Sequence, residues 1–195
     1  MKKNFIIIAS AAIIALFLFN NVKSKKEDMQ KKETINITVT SSSFSKGQPL
    51  SPKYAYTNCN GENKSPQISW QKIDGAKSYI VICDDPDAPS AKAPRPNPWV
   101  HWVVYDLPAA STELGESASI SELGGKEGKN DFGNYRYDGP CPPAGSGTHR
   151  YFFKVIATDI DSLKLSAGAT KEEVLDAARD HLIGQGEIMG TYEIS

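Results

Sequence analysis

The chain has 195 residues, 39% hydrophobic and 23% charged, and its 22 basic side chains nearly balance 23 acidic ones. Such a length suits one domain, and near-neutrality excludes the strongly basic face that nucleic acid requires. Twelve prolines and 15 glycines are too few for a low-complexity or collagenous chain and suit a turn-rich globular one.

Lys2 and Lys3 precede an uncharged apolar block from Phe5 to Phe19. A basic start followed by such a block is the pattern of an export signal or a single membrane anchor. Its 15 residues are short of the ~20 that span a bilayer as a helix. Val22 and Ser24 fall where a cut after Ser24 needs small residues, whereas Lys23, Lys25 and Lys26 work against easy translocation. Residues 1–24 therefore read as a signal peptide or an N-terminal membrane anchor, with residues 5–22 touching the inner membrane if uncut. The expected location is periplasmic or extracellular. No Cys precedes Cys59, which argues against a lipid-modified N-terminus. Residues 25–33 (KKEDMQKKE) are nearly all charged and read as a solvated linker. The folded domain is expected over residues 34–195.

From Thr34 the hydrophobic period is two. Ile35, Ile37 and Val39 alternate with polar residues, which predicts a half-buried strand. Further strands are expected at Ile68 to Gln71, Tyr79 to Cys83 (YIVIC), Trp99 to Leu107 (WVHWVVYDL) and Tyr151 to Ala157 (YFFKVIA). The unbroken run YIVIC suits a central strand covered on both faces. Long connections at Pro86 to Pro98 and Leu107 to His149 are of the kind that carry function. Thr170 stands three residues before Glu173, a capping-box spacing, and Val174, Leu175, Ala178 and Leu182 share one helical face with Gly184 as the stop. Ile188, Gly190, Tyr192 and Ile194 then alternate as a closing strand. Many strands, few helices and no βαβ rhythm predict a mainly β fold, an antiparallel sandwich or barrel.

Polar side chains collect at the ends of the apolar strands. Asp84, Asp85 and Asp87 follow YIVIC, and Pro86 holds Asp85 extended so that Asp85 and Asp87 project to similar sides. His101 shares parity with Trp99, Val103 and Tyr105, and His149 shares it with Tyr151 just after Gly145-Ser146-Gly147. A strand-embedded histidine needs a partner, and a carboxylate is the natural one. A metal site is not expected, because no HxH or HExxH spacing occurs. An EF-hand fails because Ser90 and Pro96 stand where Gly and Glu are required. No nucleotide loop follows Gly147. A small hydrolase using Cys141 or Ser146 with a histidine is the alternative, although prolines flank Cys141. An anion site fits best: imidazole donors, a Tyr hydroxyl and glycine N–H groups hold a phosphate without any nucleophile or cofactor.

Three ordered motifs, DPDAP (Asp85 to Pro89), WVHW (Trp99 to Trp102) and GPCPPAGSGTHRY (Gly139 to Tyr151), resemble the phosphatidylethanolamine-binding protein family. The match is to its bacterial Raf-kinase-inhibitor-like branch, supported by GENKSPQISW (Gly61 to Trp70), and covers Ile35 to Ile194. The resemblance implies an antiparallel β-sandwich with a few peripheral helices and a small pocket for phosphate-type anions, with no reaction catalysed. Its ligand residues carry over to Asp85, Asp87, Trp99, His101, Gly139, Cys141, His149 and Tyr151, with Pro142 and Pro143 at the rim. Ser65-Pro66-Gln67-Ile68 departs from the Ser-Pro-Pro-Leu that the resemblance implies, a change expected at the pocket floor that removes none of these ligands. The implied partners are a phosphate-bearing small molecule or lipid headgroup and a kinase or protease, with no nucleic acid. In the expected mechanism Asp85 favours a protonated imidazole, and that cation and the Gly139–Cys141 backbone hold the anion. Cys83 reads as a buried core residue; Cys59 and Cys141, both in loops near the pocket, are the candidate disulfide pair, with connectivity left open.

Overall fold

Among the described residues there are nine strands, the longest of them where β-branched and aromatic residues run together. They are β1 (Ile35–Asn36), β2 (Val39–Thr40), β3 (Ile68–Trp70), β4 (Ser78–Asp85), β5 (Trp99–Pro108), β6 (Glu113–Leu114), β7 (Lys126–Glu127), β8 (His149–Thr158) and β9 (Leu182–Tyr192). The computed structural model describes residues 34–195, so the expected leader (1–24) and charged linker (25–33) lie outside the described residues. A six-stranded sheet has the order β1-β9-β8-β4-β5-β7, and a three-stranded sheet has the order β2-β3-β6. Every pair is antiparallel except the edge pair β1–β9.

All eight residues of β4 are buried, because the large sheet is covered on both faces. Tyr79, Val81 and Cys83 on one face pack with Ile68, Trp70 and Leu114 of the small sheet. Ile80 and Ile82 on the other face pack with Val174 and Ala178 of the one described α-helix, α1 (Lys171–Ala178). This double cover is why the central strands read as continuous apolar runs. The mainly β sandwich is the fold expected from the sequence, with one α-helix among the described residues where a few peripheral helices were expected.

Two local expectations are corrected. The stretch Ile35 to Val39 is not one strand: Ile35 pairs with Gly184 in the large sheet, whereas Val39 pairs with Trp70 in the small one. The chain crosses between sheets there, burying Ile37 and leaving Ile35 exposed. Helix α1 begins with the expected capping box, in which the Glu173 N–H donates to Thr170 Oγ1 and the Thr170 N–H to Glu173 Oε2. It ends at Ala178, however, and Leu182 and Gly184 belong to β9, facing Thr158 and Ala157 of β8. Pairing along the full length of β8 satisfies more backbone groups than one further helical turn would.

Candidate functional site

The end of β4 and the beginnings of β5 and β8 meet at one end of the large sheet's central strands. Alternation puts Asp85, His149 and Tyr151 on the face that carries Cys83 and Phe153. His101 reaches the same place by a different device. Across β4 and β5, Cys83 pairs with Trp102 and Asp84 with Val100, so His101 is an extra residue without a β4 partner. This bulge breaks the shared parity expected from the sequence. Val103 and Tyr105 enter the core under α1, while the His101 ring meets Tyr151 edge-on at 5.1 Å. Bulges commonly re-aim a side chain beside a functional site in this way.

Asp85, Trp99, His101, Cys141 and His149 line one cavity of about 340 Å³. Ala88, Pro89, Phe132, Pro142 and Pro143 make its apolar walls, and Arg95 completes the lining. A larger open groove of about 720 Å³ along β1 and β9 holds none of the expected site residues.

Hydrogen bonds define the state of each ring. His149 Nδ1 is 2.7 Å from Asp85 Oδ2, both groups being buried. The other Asp85 oxygen accepts from the Asp87 N–H at 2.7 Å. His101 Nδ1 is 2.6 Å from the Asp138 carbonyl oxygen. A carbonyl only accepts, so Nδ1 carries the proton and Nε2 is the nitrogen without a partner among the described residues. Burial holds the His101 pKa below its ordinary 6.5, outweighing the contact with Asp138 and the field of Asp85. Burial therefore disfavours a charged imidazole at His101, and the imidazole that meets Asp85, as the expected mechanism requires, is that of His149. Trp99 Nε1 is buried with no acceptor among the described residues. The Arg95 guanidinium lies 4.8 Å over the Trp99 ring and is also tied to Pro98 O and Asp131.

Three of the expected ligand residues do not line the cavity. Asp87 turns to Arg150, accepting from its backbone N–H at 2.9 Å and from its guanidinium at 2.8 and 2.9 Å. Those side-chain bonds hold its carboxyl below the ordinary value despite partial burial. Tyr151 lies behind His101 in the core, where burial pushes its hydroxyl pKa far up. Gly139 lets two chain segments touch: a Cβ there would lie 1.9 Å from Tyr54 O. All three are supports of the wall in this geometry.

Sequence reasoning missed Arg95, Phe132 and Asp138. Asp138 is fully buried, and its carboxylate accepts from Asn63, Asn130, Asn134 and Arg136 at 2.7–3.1 Å. Burial raises its pKa, but these donors outweigh it and hold the carboxyl below 3.8. The only signal in the sequence was its place next to Gly139. Cys141 is bonded to Cys59, with 5.5 Å between Cα atoms, which removes it as the nucleophile of a hydrolase. Cys83 is a buried free thiol. Among the described residues no group of three or more His, Cys, Asp and Glu could hold a metal, and no helix is long and apolar enough to cross a membrane.

Two packed sheets with a small, apolar-walled cavity at one end of the central strands define a β-sandwich protein with a candidate binding cavity. A family model described as phosphatidylethanolamine-binding protein matches residues 40–193. A UPF0098 protein of Aquifex aeolicus is 44% identical over 158 residues, spanning 80% of this chain and 87% of its own. The structure of E. coli YbcL, described as a member of the mammalian PEBP family, matches with a TM-score of 0.73 at 32% identity over 82% of this chain and 99% of YbcL. A phosphatidylethanolamine-binding protein homologue from Chlamydia trachomatis matches with 0.72 at 37% identity, over 83% of this chain and all of its own. The chain belongs to the phosphatidylethanolamine-binding protein family. None of these relatives carries an enzyme's name.

Proposed function

We propose that the cavity binds a phosphate-type anion, either free or as the headgroup of a phosphorylated molecule. The observation that carries this reading is one small wall on which Trp99, whose buried indole N–H has no acceptor among the described residues, stands with His101 and Arg95. Leaving such a donor unpaired costs ~1–3 kcal/mol, which a ligand oxygen offsets. Arg95 adds positive charge at the same wall. Both Asp85 oxygens already accept hydrogen bonds, which tempers the repulsion of its carboxylate for an anion. In a zwitterion such as phosphoethanolamine, the ammonium would meet Asp85 and the phosphate the donors opposite. Holding a ligand is what these donors do; no reaction is required of them.

His101 makes binding proton-linked. Burial holds the pKa of its ring below 6.5 and so favours the neutral form, in which Nε2 is an acceptor that repels a phosphate oxygen. Binding therefore draws a proton onto Nε2, and affinity rises as pH falls from 8 towards 5, by ~10-fold per pH unit at most for one coupled proton. Calorimetry with phosphate and with phosphoethanolamine across that range, on wild type and His101→Gln, tests this. The expected result is a pH dependence present in wild type and lost in the variant. Flat wild-type affinity, or no binding of either probe, overturns it.

Membership in the family extends the reading to a protein partner of the kinase or protease kind. The Cys59–Cys141 bond supports a periplasmic or extracellular location, because such bonds persist outside the reducing cytosol. With the basic-apolar start of the chain, it is in keeping with export or with an anchor at residues 5–22.

A further inference from the structure

Ser146 stands at the outer end of a chain of hydrogen bonds that anion binding does not need. Its Oγ is 3.0 Å from His149 Nε2, and His149 Nδ1 is 2.7 Å from Asp85 Oδ2. An ionised carboxylate only accepts, so Nδ1 carries a proton; in the neutral ring Nε2 is then the acceptor and Ser146 Oγ–H the donor. That is the order of roles in a nucleophile, base and orienting-acid triad, which is recognised by geometry and not by position in a sequence. The base and the acid are both buried and pre-set: their side chains are 1% and 3% exposed, and Asp85 is further fixed by the Asp87 N–H.

The nucleophile is presented by its turn. Gly145 and Gly147 flank Ser146 with φ of +73° and +92°, in the left-handed region that favours glycine, and a Cβ at either would meet nothing closer than 3.9 Å. The turn is held by Gly145 N–H to Ile194 O, Ser146 N–H to Pro143 O and Ser90 Oγ–H to Ser146 O. By contrast the Gly147 N–H has no acceptor among the described residues. An N–H directly after the nucleophile is a recurrent oxyanion donor in hydrolases. The cavity beside His149 is walled by Trp99, Phe132, Pro89 and Pro142, which suits a small apolar or aromatic acyl group.

We propose that Ser146, His149 and Asp85 form an acyl-transfer site that cleaves carboxylic esters. Ser146 Oγ bonds to the ester carbonyl carbon as its proton passes to His149 Nε2. The carbon–oxygen bond to the alcohol breaks, and His149 gives that proton to the leaving oxygen. Water then attacks the acyl-serine, its proton passing through His149 back to Oγ, and the carboxylic acid leaves. Asp85 stays ionised and holds the Nδ1 proton throughout.

The test uses the full chain and two probes, an alkyl fluorophosphonate and p-nitrophenyl butyrate. The fluorophosphonate forms a phosphorus–Oγ bond and loses fluoride, so intact mass and peptide mapping read Ser146 directly. The expected result is one label per chain, on Ser146, and ester turnover that falls ~10²-fold or more in Ser146→Ala and in Asp85→Asn. Near-UV circular dichroism of both variants separates loss of chemistry from loss of fold. Because labelling needs no affinity for phosphate, it succeeds or fails independently of the anion titration. An unlabelled wild type, a label on another residue, or turnover that survives Ser146→Ala overturns the proposal.

Discussion

Asp138 sets the behaviour of a ring it touches only through its backbone. Its carbonyl oxygen holds His101 Nδ1–H, so Nε2 is the nitrogen left without a partner among the described residues, while its carboxylate is held in turn by three amides and Arg136. Orienting shells of this kind decide which nitrogen of a histidine does the work. Asp138→Asn would set an amide N–H₂ against donors it cannot accept from, an expected loss of ~3 kcal/mol in urea unfolding. The pH sense is fixed by the direction of its shift. A carboxyl held below its ordinary 3.8 stabilises the fold above that value, and the contribution is lost as pH falls through the lower folded value. Wild type should therefore lose more stability than Asp138→Asn between pH 5 and pH 2, and equal losses would remove the carboxylate from this role. None of this was legible in the sequence, because Asn63, Asn130 and Asn134 become neighbours of Asp138 only through the fold. Asp85, Trp99, His101 and His149 were legible, since strand ends with polar residues announce themselves against apolar runs.

Elements were readable where local chemistry decides them and unreadable where a partner strand does. The capping box of α1 was visible from Thr170 and Glu173 alone, and both of its hydrogen bonds are present. Thr170→Ala removes one of them and should cost ~1 kcal/mol, read as a lower urea midpoint at unchanged slope. An unchanged midpoint would mean that packing of Val174 and Ala178 alone holds the helix. The far end of α1 escaped prediction because Leu182 and Gly184 are captured by β8 and β1, which their own neighbours in the sequence do not reveal. The bulge at His101 is of the same kind. Its existence depends on how Cys83 and Asp84 register against Trp102 and Val100, a property of two strands that no single strand displays.

At the scale of the whole molecule, one covalent bond is added to the hydrogen bonds that join two distant segments, among them Tyr56 N–H to Pro140 O at 3.0 Å and Gly139 N–H to Asn63 Oδ1 at 2.8 Å. Cys59, at the end of a 3-10 turn (Thr57–Cys59), is tied to Cys141 on the cavity wall across 82 residues of chain. Closing so long a loop removes conformational freedom from the unfolded chain, worth ~4 kcal/mol by chain entropy. The third cysteine does not interfere: Cys83 is fully buried, and burial pushes its thiol pKa well up, so little thiolate is present to exchange. One thiol should therefore react in non-reducing denaturant, and three after reduction. The Cys59→Ser/Cys141→Ser double variant should fold but unfold at lower urea concentration. Reductant should lower the wild-type midpoint towards that of the variant and leave the variant unmoved. Cys141 also lines the cavity, so the same loss should weaken phosphate binding, because the loop carrying Pro142 and Pro143 is then held by fewer ties. A double variant as stable as wild type would show that the sheets alone hold this loop in place.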